Sequence, residues 1–162
     1  MKYFKPDYEI QHFSELTKEW LNERNIKAIF SDLDSTLAIH DHEHGSEELG
    51  HWIEMLKENN VTLFIVSNNS QGRVDRFVAP YGIHGLGMSG KPGITRIEKE
   101  MNKLGEKSET SLFLGDQIFT DVWCGKRLNM TTVLVHPIGR EHEPWNITLK
   151  RKLETLIKKR WK

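Results

Sequence analysis

Four runs along the chain have apolar centres: IKAIFSD (26–32), VTLFIVS (61–67), TSLFLGD (110–116) and TTVLVHP (131–137). Runs of this length, rich in β-branched and aromatic residues, predict strands buried on both faces. Between them the apolar positions take helical spacing at about 46–59 (Leu49, Trp52, Ile53, Leu56), 70–81 (Val74, Phe77, Val78), 93–104 (Ile94, Ile97, Met101, Leu104) and 118–128. Gly82 and Gly105 supply helix-stop signals. Ahead of the first strand, SELTKEWLNERN (14–25) opens on a candidate Ser14 cap and sets Leu16 and Trp20 four apart, which predicts a lead-in helix. A weak short strand is expected near 84–88.

Strands alternating with helices predict an α/β fold, a doubly wound parallel sheet, because each crossover must carry a helix back over the sheet. A length of 162 residues with no internal repeat or linker predicts a single domain over 1–162. Ligands of such sheets bind beyond the carboxyl ends of the strands. Three of the four strong strands end there in chemically capable residues.

Composition narrows the class of protein. With 37% hydrophobic and 28% charged residues the chain can bury a core, which excludes a disordered polyelectrolyte. The lone Cys124 excludes an intrachain disulfide and a cysteine-based zinc cluster, and points to a reducing, cytoplasmic setting. The N-terminus MKYFKPDYEIQHF has no apolar run fit for a signal peptide, and no stretch approaches the ~18 to 20 apolar residues needed to cross a bilayer. A protein that neither spans a membrane nor is exported is expected. The balance of 23 basic and 23 acidic residues hides an asymmetry, since residues 150–162 hold seven Lys or Arg and one Glu, leaving 16 basic and 22 acidic groups elsewhere. A tail of +6 on a body of −6 predicts an anionic partner for the tail.

The first strong strand ends in Asp32-Leu33-Asp34-Ser35-Thr36, the second in Ser67-Asn68-Asn69, and the third in Gly115-Asp116, with Asp121 five residues on and Lys91 in Gly90-Lys91-Pro92. Taken singly, Asp-Leu-Asp also reads as a helix-capping turn and Gly-Asp as an ordinary strand exit. Together, four carboxylates at one sheet edge repel unless a cation sits among them, and an all-oxygen set suits Mg²⁺.

In that order, DxDxT, a Ser closing an apolar strand, Lys-Pro and GDxxxxD, the chain resembles the haloacid dehalogenase (HAD) superfamily of phosphohydrolases over roughly residues 26–137. The resemblance implies Asp32 as a nucleophile that forms an aspartyl-phosphate, and Asp34 as the general acid that later activates water. Ser67 and the amide of Asn68 would hold phosphoryl oxygens, and Lys91 would neutralise nucleophile and transferred group. Asp32, the backbone carbonyl of Asp34 and Asp116 are the implied metal ligands, with Asp121 within reach of the same cation or of Lys91.

The resemblance narrows to the small, uncapped YqeG-type branch, similar to phosphatidylglycerophosphate phosphatases, on Ser31–Leu37, Ile65–Asn69, Lys91-Pro92, Gly115-Asp116-Gln117, Thr120-Asp121, the early Lys5-Pro6-Asp7-Tyr8 and the basic C-terminus. The three-His flap and Gly87-Met88-Ser89-Gly90 depart from that pattern. Fewer than ten residues separate Thr36 from the helix near Ser46, and Lys91 lies 24 positions after Ser67, so no cap domain fits. An open site predicts a large or surface-bound substrate. The segment His40-Asp41-His42-Glu43-His44 reads as an exposed polar flap over the mouth, or, with three imidazoles on one side of a hairpin, as a zinc or nickel site.

Residues 145–162 set Trp145, Leu149, Leu153, Leu156, Ile157 and Trp161 at near-helical spacing among Lys and Arg. Such a helix can lie on an anionic membrane, pack its apolar stripe on the sheet, or bind nucleic acid. Because the catalytic candidates lie within 32–121, the tail is expected to recruit without touching the chemistry. The function expected is a Mg²⁺-dependent phosphatase of a membrane lipid such as phosphatidylglycerophosphate, peripheral on the inner face of the cytoplasmic membrane and not a nucleic-acid binder. The alternatives are a phosphatase of nucleic-acid ends or phosphoproteins, and a non-catalytic HAD-fold binding module. Intact Asp32, Asp34 and Lys91 argue against the last.

Overall fold

The computed structural model describes residues 2–161. Its main elements are β1 (Tyr8–Ile10), α1 (Lys18–Glu23), β2 (Ala28–Ser31), α2 (Glu47–Glu58), β3 (Thr62–Val66), α3 (Gln71–Val78), β4 (His84–Leu86), α4 (Thr95–Leu104), β5 (Ser111–Gly115), α5 (Trp123–Arg127), β6 (Thr131–Val135) and α6 (Trp145–Lys158). The strands form one sheet in the order β1-β6-β5-β2-β3-β4, and every pairing is parallel.

The strands alternate which side of the sheet they feed, as a period of two requires. Ile29, Leu63, Ile65, Leu112 and Leu114 join the core under α2 and α3. Ala28, Phe30, Phe64, Val66 and Phe113 join a second core, with Ile97, Met101, Cys124 and Leu128 from α4 and α5. Both faces are therefore buried, which explains why these strands read as unbroken apolar runs.

Local signals place the helix starts. The Ser46 and Ser70 side chains accept the amides of Leu49 and Arg73, each three residues on, and satisfy donors that a first helical turn leaves free. Gly82 and Gly105 take the left-handed conformation at the ends of their helical segments. The lead-in helix expected over 14–25 is divided: a single turn at Phe13–Glu15 precedes α1, which begins at Lys18 because Thr17 caps the amide of Trp20. Strand β1 has no counterpart in the apolar pattern. Tyr8 and Glu9 are exposed, and the strand exists because its backbone extends the sheet beside β6.

The order of the strands reverses at β2, with β3 and β4 on one flank and β5 and β6, then β1, on the other. The crevice beyond its carboxyl end is the switch point of the fold. Residues 37–46 join the end of β2 to α2 through turns and bends, with one isolated bridge between Asp34 and Ala38 and no hairpin. Neither this link nor that from β3 to β4 carries a further domain. Among the described residues, no helix is long and apolar enough to cross a membrane.

Candidate active site

The switch point gathers Asp32, Asp34, Ser67, Asn68, Lys91, Asp116 and Asp121. Asp32 follows β2 and Asp116 follows β5, on neighbouring strands. Asp121 is brought in by a π-turn over Ile118–Val122, which folds it back on the end of β5. Gly115 makes that approach possible, since a Cβ there would lie 2.2 Å from the Asp121 Cβ. Asp121 Oδ2 then accepts the amides of Asp116 (3.1 Å) and Gln117 (3.0 Å), locking the loop.

Lys91 Nζ donates to Asp32 Oδ1 at 2.9 Å and to Asp121 Oδ1 at 2.8 Å. The loop that delivers it is fastened by Asn68, whose Oδ1 accepts the Lys91 amide (2.9 Å) and whose Nδ2 donates to the Lys91 carbonyl (2.9 Å). Burial disfavours the Lys91 ammonium, but Asp121 and Asp32 outweigh it and raise its proton affinity above that of a free lysine. The Thr36 hydroxyl lies 2.7 Å from Asp116 Oδ1 and 3.3 Å from Asp32 Oδ2, so it joins the two loops.

Asp34 has partners of its own. Its carboxylate accepts Arg73 Nη2 (3.0 Å), the amide of Asp41 (2.8 Å) and Asn69 Nδ2 (3.1 Å). Burial alone would raise its pKa, yet these donors together hold it below the usual aspartate value. Ser67 is buried, with its Oγ accepting the amide of Asn69 at 3.0 Å.

One oxygen from each of Asp32, Asp116 and Asp121 lies within 4.8 Å of the others, and all three residues are buried. Burial, then the charge of Asp32, pushes Asp116 well above the ordinary carboxylate range, while burial pushes Asp121 up to about 6 against the pull of Lys91. Among the described residues, Lys91 and Arg151 are the cations that touch the group, and Arg151 is shared with Glu143, so the three carboxylates, when ionised, carry an excess of negative charge. A buried all-oxygen donor set with that excess fits a hard divalent cation. Asp121 already bonds Lys91 directly. The Asp34 side chain lies outside this group of three, leaving its backbone carbonyl as the atom the family pattern would use.

The flap histidines do not gather into a metal-ligand group among the described residues. His40 is half-buried with Nε2 3.3 Å from Asp41, and His42 packs its ring 5.4 Å from that of His142. Three side chains that the sequence reading passed over complete the site. Arg73 resembles any charge in a capped helical turn until the fold sets it against Asp34. Arg151 comes from the tail and Glu143 from the turn just before it: Arg151 Nη2 donates to the carboxylates of both Asp116 and Glu143, and Nη1 donates to the Asp116 carbonyl at 3.1 Å.

That contact corrects the expectation that the tail stays clear of the chemistry. It also corrects the expectation that the helix packs its apolar stripe on the sheet. Arg151 and Glu154 are the buried residues of α6, whereas Trp145, Leu149, Leu153 and Leu156 are 78, 53, 51 and 59% exposed. The helix docks by its polar face and turns its apolar face outward. Of the six apolar residues in the expected stripe, Ile157 and Trp161 are half-buried, and Trp161 packs near Ile118 and Leu134. Lys162 lies outside the described residues, as does Met1.

Glu154 accepts the amides of Ile118 (2.7 Å) and Phe119 (3.3 Å), and burial pushes its carboxyl up to about 7 despite those donors. A carboxyl raised from 4.5 to about 7 binds its proton more tightly when folded. Its contribution to stability is therefore full below the unfolded value and lost as pH rises through the folded one. Glu154→Gln keeps the acceptor without the titration, so its melting temperature should fall less than that of the wild type between about pH 5 and about pH 8. Identical pH slopes in calorimetry would contradict the assignment.

Residues 2–135 match the haloacid dehalogenase-like hydrolases, and the chain belongs to that family. It is 36% identical over 138 residues to the probable phosphatase YqeG of Bacillus subtilis (strain 168), covering 85% of this chain and 80% of that protein. A stretch of 71 residues, 44% of this chain, is 38% identical to phosphatidylglycerophosphate phosphatase 1, chloroplastic/mitochondrial, of Arabidopsis thaliana, of which it covers 20%. The cobalt-bound deoxy-D-mannose-octulosonate 8-phosphate phosphatase of Haemophilus influenzae shares the fold, with a TM-score of 0.54, 19% identity, and coverage of 83% of this chain and 88% of that one. The protein is a phosphatase of the haloacid dehalogenase superfamily.

Proposed function

We propose that this phosphatase uses Mg²⁺ and an aspartyl-phosphate on Asp32 to remove a terminal phosphate from a membrane lipid, phosphatidylglycerophosphate being the sharpest candidate. The observation that carries the reading is the pairing of an uncapped carboxylate site with a helix docked beside it whose apolar face points outward. The name of the Arabidopsis thaliana relative supports the lipid class.

Asp32, Asp116 and the Asp34 carbonyl would hold the cation, with Asp121 acting on it through Lys91. When bound, Mg²⁺ supplies charge neutralisation for the phosphoryl oxygens. The steps belong to the chain's own groups. An Asp32 oxygen attacks phosphorus, the bond to the leaving oxygen breaks, and that oxygen takes a proton from Asp34. Asp34 must first gain that proton, and an incoming phosphate aids this by competing for Arg73 and adding negative charge beside the carboxyl. Water, giving its proton back to Asp34, then attacks phosphorus and frees Asp32 and inorganic phosphate. Ser67 and the Asn68 amide orient the phosphoryl group, and Lys91 offsets its charge.

The outward face of α6 bears Trp145, Leu149, Leu153 and Leu156, spaced at i, i+4, i+8 and i+11, with Lys150 and Lys152 beside it. An anionic surface attracts such basic residues by ~1 kcal/mol each. The setting proposed is therefore cytoplasmic, peripheral on the membrane. Phosphate release with Mg²⁺ across lipid phosphomonoesters in mixed micelles, nucleotides, phosphorylated oligonucleotides and phosphopeptides tests the substrate class. A preference for oligonucleotides or phosphopeptides would move the substrate elsewhere, and no turnover on any of them would favour the binding-module reading.

Leu153→Glu with Leu156→Glu is the sharper test of the surface, since both side chains are exposed on the outward face, 51 and 59%. This double variant should sediment less with anionic vesicles and hydrolyse lipid more slowly, while turnover of a small soluble phosphomonoester stays as in the wild type. Equal vesicle binding by variant and wild type would remove α6 as the contact. Added salt should weaken vesicle binding of the wild type, because the attraction of Lys150 and Lys152 to an anionic surface is screened over ~8 Å at physiological ionic strength.

A further inference from the structure

We propose that Arg151, held by Glu143, positions Asp116 for the divalent cation, which makes the C-terminal helix a working part of the active site. The proposal rests on the metal-dependent reading above. Arg151 is buried, and its guanidinium grips one residue twice: Nη1 donates to the Asp116 backbone carbonyl at 3.1 Å, and Nη2 to Asp116 Oδ2. Holding carbonyl and carboxylate from one planar fork fixes the side-chain torsion between them, which a lysine ammonium cannot do. With Oδ2 engaged, the other oxygen, Oδ1, is turned toward Thr36 and thus toward Asp32.

The fork is itself anchored. Arg151 Nε donates to Glu143 Oε1 at 2.7 Å, and Glu143 Oε2 accepts the Ser35 hydroxyl at 2.9 Å. Ser35 stands between Asp34 and Thr36 with a left-handed backbone, φ 66°. The chain of contacts Asp116–Arg151–Glu143–Ser35 therefore ties the loop after β5 to the loop after β2 through the tail. Those are the two loops that carry the metal candidates. Residues 147, 151, 154 and 158 share the inward face of α6, so its docking and the grip on Asp116 are one event.

Groups that orient a metal ligand without touching the metal typically change metal affinity by about 10- to 100-fold. The test is Mn²⁺ binding to the full-length protein, read by electron paramagnetic resonance with Mg²⁺ as competitor. Arg151→Gln should weaken Mn²⁺ binding by about 10-fold or more. Arg151→Lys and Glu143→Gln should fall between it and the wild type. The Mg²⁺ concentration for half-maximal turnover of a small soluble phosphomonoester should rise in step, with kcat at saturating Mg²⁺ largely recovered.

Unchanged Mn²⁺ affinity in folded variants, even with a lower melting temperature, would reduce Arg151 to a structural tie and overturn the proposal. Tighter Mn²⁺ binding would also overturn it, by showing that the guanidinium competes with the cation. Should Arg151→Gln not fold, Arg151→Lys and Glu143→Gln carry the same readout. A wild-type protein that neither binds Mn²⁺ nor needs Mg²⁺ for phosphate release would overturn the metal reading itself, an outcome distinct from variants that match a metal-binding wild type.

Discussion

Asp32→Asn is expected to lower phosphate release by about 10⁴-fold or more, because an amide is a poor nucleophile and residues that act as a unit in covalent catalysis show losses of that order. The fold should survive, since Asn has nearly the same volume and Lys91 keeps its bond to Asp121. Stability is expected to hold or rise. The charge of Asp32 is among the causes that push both Asp116 and Asp121 upward, so removing it relieves repulsion in a buried cluster. Steady-state turnover of a soluble phosphomonoester with Mg²⁺, set beside calorimetry of the same samples, checks both halves. A variant that keeps near wild-type activity would exclude Asp32 as the nucleophile.

Lys91→Met should be costly in both respects. Lys91 is 6% exposed and bonds two buried carboxylates, and Met fills similar space without the charge. Breaking a buried ion pair by removing one partner typically costs about 3–5 kcal/mol. Loss of a preorganised charge at the transferring group typically lowers kcat by about 10²- to 10³-fold. The stability deficit should shrink when Mg²⁺ is added, or when pH is lowered so that the stranded carboxylates take up protons. Kinetics equal to the wild type would assign charge compensation to another group, and a melting temperature indifferent to Mg²⁺ would argue against a cation in this cluster.

The tail helix changes how truncation should be read. Deleting residues 145–162 removes Arg151 and Glu154 together with the outward apolar face, so activity on soluble and lipid substrates should fall together. Only outward-face substitutions separate recruitment from the site.

The amino-acid sequence by itself determined the α/β class, the four central strands, most helix positions and the family, because those features rest on short-range causes. A strand buried on both faces must be apolar throughout, a helix must repeat its apolar residues every turn, and loops at strand ends carry their chemistry in contiguous letters such as Asp32-Leu33-Asp34. Strand β1 was illegible, since an edge strand with two exposed residues is held by backbone pairing to β6 and leaves no apolar trace. Only the tertiary structure decided which way α6 faces. Its apolar stripe and its basic charge dominate the pattern, and nothing local distinguishes Arg151 from the six other basic residues of the last thirteen. What selects it is a fully buried carboxylate 35 positions away. Desolvated charge must be paired, and that requirement appears only when the chain is folded.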